Sequence, residues 1–166
     1  MRVAIVLGKK LTPTGDPNGE YKRSLAIAEE LLFAKAVDFI AISGGKTQAA
    51  FPAEADVGYH LLSPESQRVT ILESSSLSGV ENIVELRKLL GEDVHSSFMI
   101  MGHARLSRMR KVLKRFWKEA DITCIGVQDD HPILERVKEA IISIIFGIDP
   151  EQKHITALLK KMFRNA

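Results

Sequence analysis

Five short apolar runs punctuate the chain: VAIVL at 3–7, DFIAIS at 38–43, RVTILE at 68–73, SFMIM at 97–101 and ITCIGV at 122–127. Their cores are β-branched and apolar throughout rather than alternating, the pattern of strands buried on both faces. Each is followed by a segment of helical period. Leu25, Ala28 and Leu32 recur on one helical face, and Leu106, Met109, Leu113 and Phe116 on another. Strands alternating with helices predict a three-layer α/β/α sandwich, a doubly wound Rossmann-like parallel sheet of about five strands. Residues 132–146 and 150–164 then read as two more helices, with Pro132 and Pro150 where a first turn tolerates proline. With no repeat, low-complexity tract or linker, 1–166 reads as one domain with C-terminal helices at about 132–164.

This topology directs the search for function, because open parallel sheets bind ligands beyond the carboxyl ends of their strands. The loops at those ends read GKKLTPTGDPNG, GGKTQAAFPAE, SSSLSGVEN, GHARLSR and QDDHP. In the second, Gly45-Lys46-Thr47 imitates the end of a phosphate loop, but the leading glycine would have to be Ile40, so the motif fails. What remains is the pair Gly44-Gly45, whose backbone N–H groups could meet an anion unobstructed by a β-carbon. A tight turn explains it equally well. Glu54, after Pro52, belongs in the first turn of the next helix, either complementing the helix dipole or reaching the crevice as a general base.

In the third loop, Ser78 and Glu81 have the S-x-x-E spacing of a capping box, which accounts for both. Glu73, Ser76 and Asn82 are left over at a strand end and become candidates for ligand contact. In the fourth, Arg105 and Arg108 fall in the first turns of a helix starting near 104, where cations oppose the dipole by ~0.3–1 kcal/mol each. A bound phosphate or carboxylate would reverse that penalty. Lys111, Arg115 and Lys118 fit a solvated basic face instead. His103, at the strand end, is either an acid–base group or a packing residue. In the fifth loop, Gln128, Asp129, Asp130 and His131 have metal-ligand chemistry without ligand spacing, and an acidic N-cap before Pro132 is the simpler account.

Composition narrows the field without choosing within it. A chain of 166 residues, 45% hydrophobic and 27% charged, is ordinary for a globular protein. A net charge of +2 is too small to point to nucleic acid. Cys124 is the only cysteine, which excludes an internal disulfide and suits a packed core thiol. MRVAIVLGKK is too short in apolar residues for a secretory signal, and AIISIIFGI at 140–148 is well short of the ~20 residues of a spanning helix. A soluble cytoplasmic protein without a membrane span is expected.

In order and spacing, residues 3–127 resemble the SanA, ElyC and YdcF family of bacterial proteins. The match runs through Leu7-Gly8, Arg23 opening the first helix, Ser43-Gly44-Gly45 with Glu54-Ala55 downstream, and Glu73, Ser76, Glu81 and Asn82 against the family's E-x-x-S-x-x-T-x-E-N. Gly79 replaces the threonine of that motif. In MGHARLSRM, Arg108 matches the family arginine, but Arg105 stands at the family histidine and Ala104 at its tyrosine, so histidine chemistry would fall to His103 or be lost. Many relatives carry membrane segments and are linked to envelope and lipid-carrier metabolism. One is reported to bind S-adenosylmethionine. Neither S-adenosylmethionine nor a divalent metal is indicated here by a motif.

The expected function is an enzyme that hydrolyses or transfers a group on a phosphorylated or nucleotide-like small molecule. Glu73 or Glu54 would be the base, with His103 and, weakly, Ser43 as further catalytic candidates. Gly8, Lys9, Arg23, Gly44, Gly45, Ser76, Asn82, Arg105 and Arg108 are the candidates for binding the anion. The alternative is a non-catalytic module that binds or senses a nucleotide or S-adenosylmethionine. Nucleic acid is disfavoured, and the oligomeric state is left open.

Overall fold

In the computed structural model, which describes residues 1–151, the five apolar runs form one all-parallel sheet. Its strands are β1 (Val3–Leu7), β2 (Phe39–Ser43), β3 (Thr70–Glu73), β4 (Ser97–Gly102) and β5 (Ile122–Val127), in the order β3-β2-β1-β4-β5. The helices of this unit are α1 (Gly19–Phe33), α2 (Glu54–Leu61), α3 (Pro64–Gln67), α4 (Gly79–Leu90) and α5 (Leu106–Phe116), the last preceded by a 3-10 turn, His103–Arg105. This is the Rossmann-like α/β arrangement that the periodicity predicts.

The chain divides into two units, residues 1–130 and a second beginning at His131. In the second unit the described residues form one helix, α6 (Pro132–Ile148). The helix expected over 150–164 lies outside the described residues from 152 onwards.

β1 occupies the middle of the sheet, and all five of its residues are buried. Ala4 and Val6 pack with Ile40, Ile42, Tyr21, Leu25 and Ala28, so the predicted face of α1 lies on the sheet, with Leu32 only partly covered at the helix end. On α5 the predicted face is sharpened by Val112, which is buried with Met109 and Leu113, while Leu106 and Phe116 are only partly buried.

Two local differences have clear causes. α3 was not foreseen: Ser63 caps it, Pro64 opens it, and it shortens the run at 68–73 to a strand starting at Thr70. The capping box is offset: Ser78 Oγ accepts from Glu81 N at 3.2 Å, but Glu81 Oε2 accepts from Leu77 N at 2.7 Å rather than from the cap residue.

Candidate functional site

The strand order places the topological switch point between β1 and β4, because β1 continues through α1 to β2 on one side while β4 continues through α5 to β5 on the other. The crevice of such a fold opens there. Glu20, in the first turn of α1, is buried beneath it. Its Oε2 is 2.5 Å from Lys9 Nζ, and its Oε1 is 3.1 Å from Arg105 Nη2 and accepts from Gly102 N at 3.2 Å. Arg105 also donates from Nη1 to Gly8 O at 3.4 Å, crossing from the β4 loop to the β1 loop. Glu20 thus joins two predicted binding residues. A charge so deeply buried is tolerable only when paired and hydrogen-bonded in this way.

Glu54 lies beside this network, over the ends of β1 and β2. It is the first residue of α2, as predicted, and only 5% exposed. Thr47 Oγ1 donates to its Oε1 at 2.6 Å. Its Oε2 accepts no hydrogen bond from a described residue and presses against the glycines: a β-carbon on Gly8 would stand 2.6 Å from that oxygen, and one on Gly44 3.1 Å. The space left by these two glycines therefore houses a carboxylate. Burial pushes the Glu54 carboxyl above the ordinary range, against the opposing pull of the Thr47 hydroxyl and of the Arg105, Lys10 and Lys9 charges. The Tyr21 hydroxyl, buried beneath, donates to Glu54 O at 2.8 Å. Burial, and then the Glu54 charge, raise this phenol far above its usual value and keep it neutral.

The β2 and β3 ends are organised differently. Glu73 accepts five hydrogen bonds: at Oε1 from Ser75 N, Ser75 Oγ and Ser76 N at 2.7–2.9 Å, and at Oε2 from Ser43 Oγ at 2.5 Å and Ser76 Oγ at 2.6 Å. Burial alone would raise its pKa, but the hydroxyls of Ser43, Ser76 and Ser75 and the Ser75 N–H outweigh it and hold the carboxyl below the ordinary range. With both oxygens occupied, Glu73 is better suited to fixing the serine loop than to taking a proton. Ser43 is fully buried with its hydroxyl committed to Glu73, an environment unsuited to a nucleophile. Asn82 Nδ2 donates to Ser43 O at 3.3 Å.

The glycine pair does not offer its N–H groups to a ligand. Gly44 N donates to Glu73 O at 2.9 Å and Gly45 N to Ser76 O at 2.7 Å, so the β2 loop is laced to the β3 loop. A β-carbon on Gly45 would stand 2.5 Å from Ser76 O, which is why a glycine serves there.

The helix start near residue 104 does meet an anion, and the protein supplies it. Asp129, buried after β5, accepts from Ala104 N at 3.1 Å. Asp130 accepts from Glu20 N at 3.0 Å at the start of α1 and pairs with Arg23, whose Nη2 is 2.5 Å from Oδ1 and also donates to Gln128 O at 2.7 Å. Neither acid caps α6, whose cap residue is His131 with no side-chain bond. Arg108 is buried, and its Nη1 would stand 3.1 Å from a β-carbon on Gly79, so Gly79 makes room for a guanidinium. His103 is exposed, with its ring against Gly126 on β5, on the opposite side of the switch point from Glu54.

The structure therefore brings together Gly8, Lys9, Gly44, Glu54 and Arg105. Glu73, Ser43, Ser76, Asn82 and Gly45 form a second, internally hydrogen-bonded group. Arg23 is tied to the first through Asp130, which also accepts from Glu20 N, while Arg108 lies against Gly79 at the start of α4 and His103 against Gly126. Glu20, Thr47, Lys10, Asp129 and Asp130 were not foreseen as site residues. A hollow of about 360 Å³ between β3 and α4, lined by Leu72, Ser74, Ser75, Glu85 and Lys88 among others, includes none of the switch-point groups. Glu73, a predicted catalytic candidate, also lines that hollow. Among the described residues no three His, Cys, Asp or Glu gather as a metal would need, and no helix is long and apolar enough to cross a membrane. Compared with family models, curated proteins and solved structures, the chain has no match in any of the three.

Proposed function

We propose that this protein is an enzyme acting on a phosphorylated or nucleotide-like small molecule, by hydrolysis or group transfer, at the switch point between β1 and β4. The observation that carries the proposal is Glu54: a buried carboxyl with a raised pKa and one oxygen without a hydrogen-bond donor among the described residues, in the field of Lys9, Lys10 and Arg105. Raised carboxyls in clefts are suited to general acid–base work near neutral pH. The surrounding cations favour an anionic substrate and would stabilise charge developing on a phosphoryl group. Glu54 would take the proton of an attacking water or substrate hydroxyl, with Thr47 fixing the carboxyl plane. The resemblance to the SanA, ElyC and YdcF family, in whose pattern Glu54-Ala55 matches the Glu-Ala pair, points to the same residue.

A second reading, a non-catalytic module for a nucleotide or S-adenosylmethionine, is favoured by Arg105. It stands at the family histidine position and is held by Glu20 and Gly8 rather than free to exchange protons. A panel of phosphomonoesters, nucleotides and S-adenosylmethionine, tested for binding by calorimetry and for turnover with and without divalent metals, separates the two. Turnover that falls roughly 10²–10⁴-fold in Glu54→Gln with binding retained supports the enzyme. Tight binding without turnover in any metal condition sinks it in favour of the module.

A further inference from the structure

We propose that α6 is a dimerisation helix whose aliphatic stripe packs against the same stripe of a second copy of this chain. Leu134, Val137, Ile141, Ile144 and Ile148 recur at spacings of three, four, three and four, the seam of a two-helix pair. With Ile133 beside them, these side chains are 55–82% exposed. The polarity of the helix is inverted: Glu135 and Glu139 are buried, while the aliphatic face lies open. A face of this kind is explained by a partner that covers it.

Three observations select a second copy as that partner. The six side chains each leave on the order of 100 Å² uncovered, or roughly 600 Å² per copy before neighbouring atoms are added, close to the ~800 Å² per partner of a stable interface and at the upper end of apolar patches on monomers. Second, one unbroken heptad seam is self-complementary, so a two-fold axis can place the same residues on both sides. Third, Gly147 lies inside the helix, where glycine costs about 1 kcal/mol relative to alanine, yet a β-carbon there would meet nothing within 4 Å. Packing among the described residues does not require that glycine, whereas the close approach of a second helix would. Ala140, seven residues earlier on the same edge, is small as well. A membrane surface fits less well, because a helix lying on lipid carries a basic polar face, and here Arg136 and Lys138 are balanced by Glu135 and Glu139.

The test is the mass of the full-length protein in solution, by sedimentation equilibrium at micromolar concentration. A dimer is expected for the wild type. Ile141→Lys, at the centre of the seam, and separately Ile144→Lys should weaken it by at least about thirtyfold, the scale of a hot-spot loss, with the far-ultraviolet circular dichroism unchanged. Leu61→Lys, an exposed apolar residue of α2, should leave the dimer intact. A monomeric wild type overturns the proposal, as does a dimer that neither seam variant weakens. A monomer that floats with phosphatidylserine vesicles, and stops doing so in Ile141→Lys, would assign the stripe to lipid instead.

Discussion

Glu73 and Glu54 are both buried at the carboxyl end of the sheet, one closing β3 and the other opening α2, and desolvation and hydrogen bonding together drive them apart. Glu73 receives five donors and is held ionised. Glu54 receives one and is pushed towards its neutral form. Burial acts on both in the same direction but bears more heavily on Glu54, so heavier desolvation and fewer donors together separate the two. A saturated carboxylate behaves as part of the scaffold, and an undersatisfied one keeps the capacity to exchange a proton.

The contrast can be broken most severely at Glu73. Glu73→Gln replaces an acceptor oxygen with an amide donor facing two hydroxyls or N–H groups, and should destabilise the fold by roughly 3–5 kcal/mol in urea denaturation. The wild type should show the same dependence in acid. Because the folded pKa of Glu73 is below its unfolded value of 4.5, its contribution is complete above that value and is lost as pH falls through the folded one. Stability curves measured between neutral pH and strong acid check this.

Next in size is Glu20→Gln, which strips Lys9 and Arg105 of their buried counter-charge and should cost about 3 kcal/mol. If Glu20 merely complemented the α1 dipole, the loss would stay within ~1 kcal/mol.

The smallest effect should have the opposite sign. Glu54→Gln keeps the Thr47 contact and removes a carboxylate that folding disfavours, so it should stabilise the protein at neutral pH by on the order of 1 kcal/mol. The folded pKa of Glu54 is raised, so the wild type loses stability as pH climbs from the unfolded value through the folded one. The gap between variant and wild type should therefore close in acid. A variant less stable than wild type at neutral pH would place Glu54 with Glu73 as scaffold.

What could be read from sequence was local. The strands are apolar runs, Ser78 caps its own helix, and the surplus polarity of Glu73, Ser76 and Asn82 is visible because capping leaves it unexplained. The partners of those residues were not legible, since they depend on which strands become neighbours. Asp129 looks like a cap for the helix that follows it and instead caps the turn after β4, the adjacent strand. Asp130 reaches back to α1 in the same way. Glu20 carries the signature of an ordinary first-turn acid, and only the order β3-β2-β1-β4-β5 places Arg105 and Lys9 around it. The arginines at 105 and 108 read from sequence as needing an external anion, whereas at Arg105 the protein's own Glu20 supplies the counter-charge.

The loop at 74–76 has a consequence for exchange with solvent. A run of three serines suggests a connection whose amides open freely, yet Ser75 N and Ser76 N are held by Glu73, and Gly45 N extends the pairing of β2 with β3 to Ser76 O. In deuterium labelling this segment should exchange on the timescale of the sheet it borders, and it should become fast when acid removes the charge that gathers it. A stretch that looks like the most yielding part of the chain is thus gathered at Ser75 and Ser76 by the Glu73 carboxylate and held at Ser74 by Asp56, whose Oδ1 accepts from the serine hydroxyl at 2.8 Å.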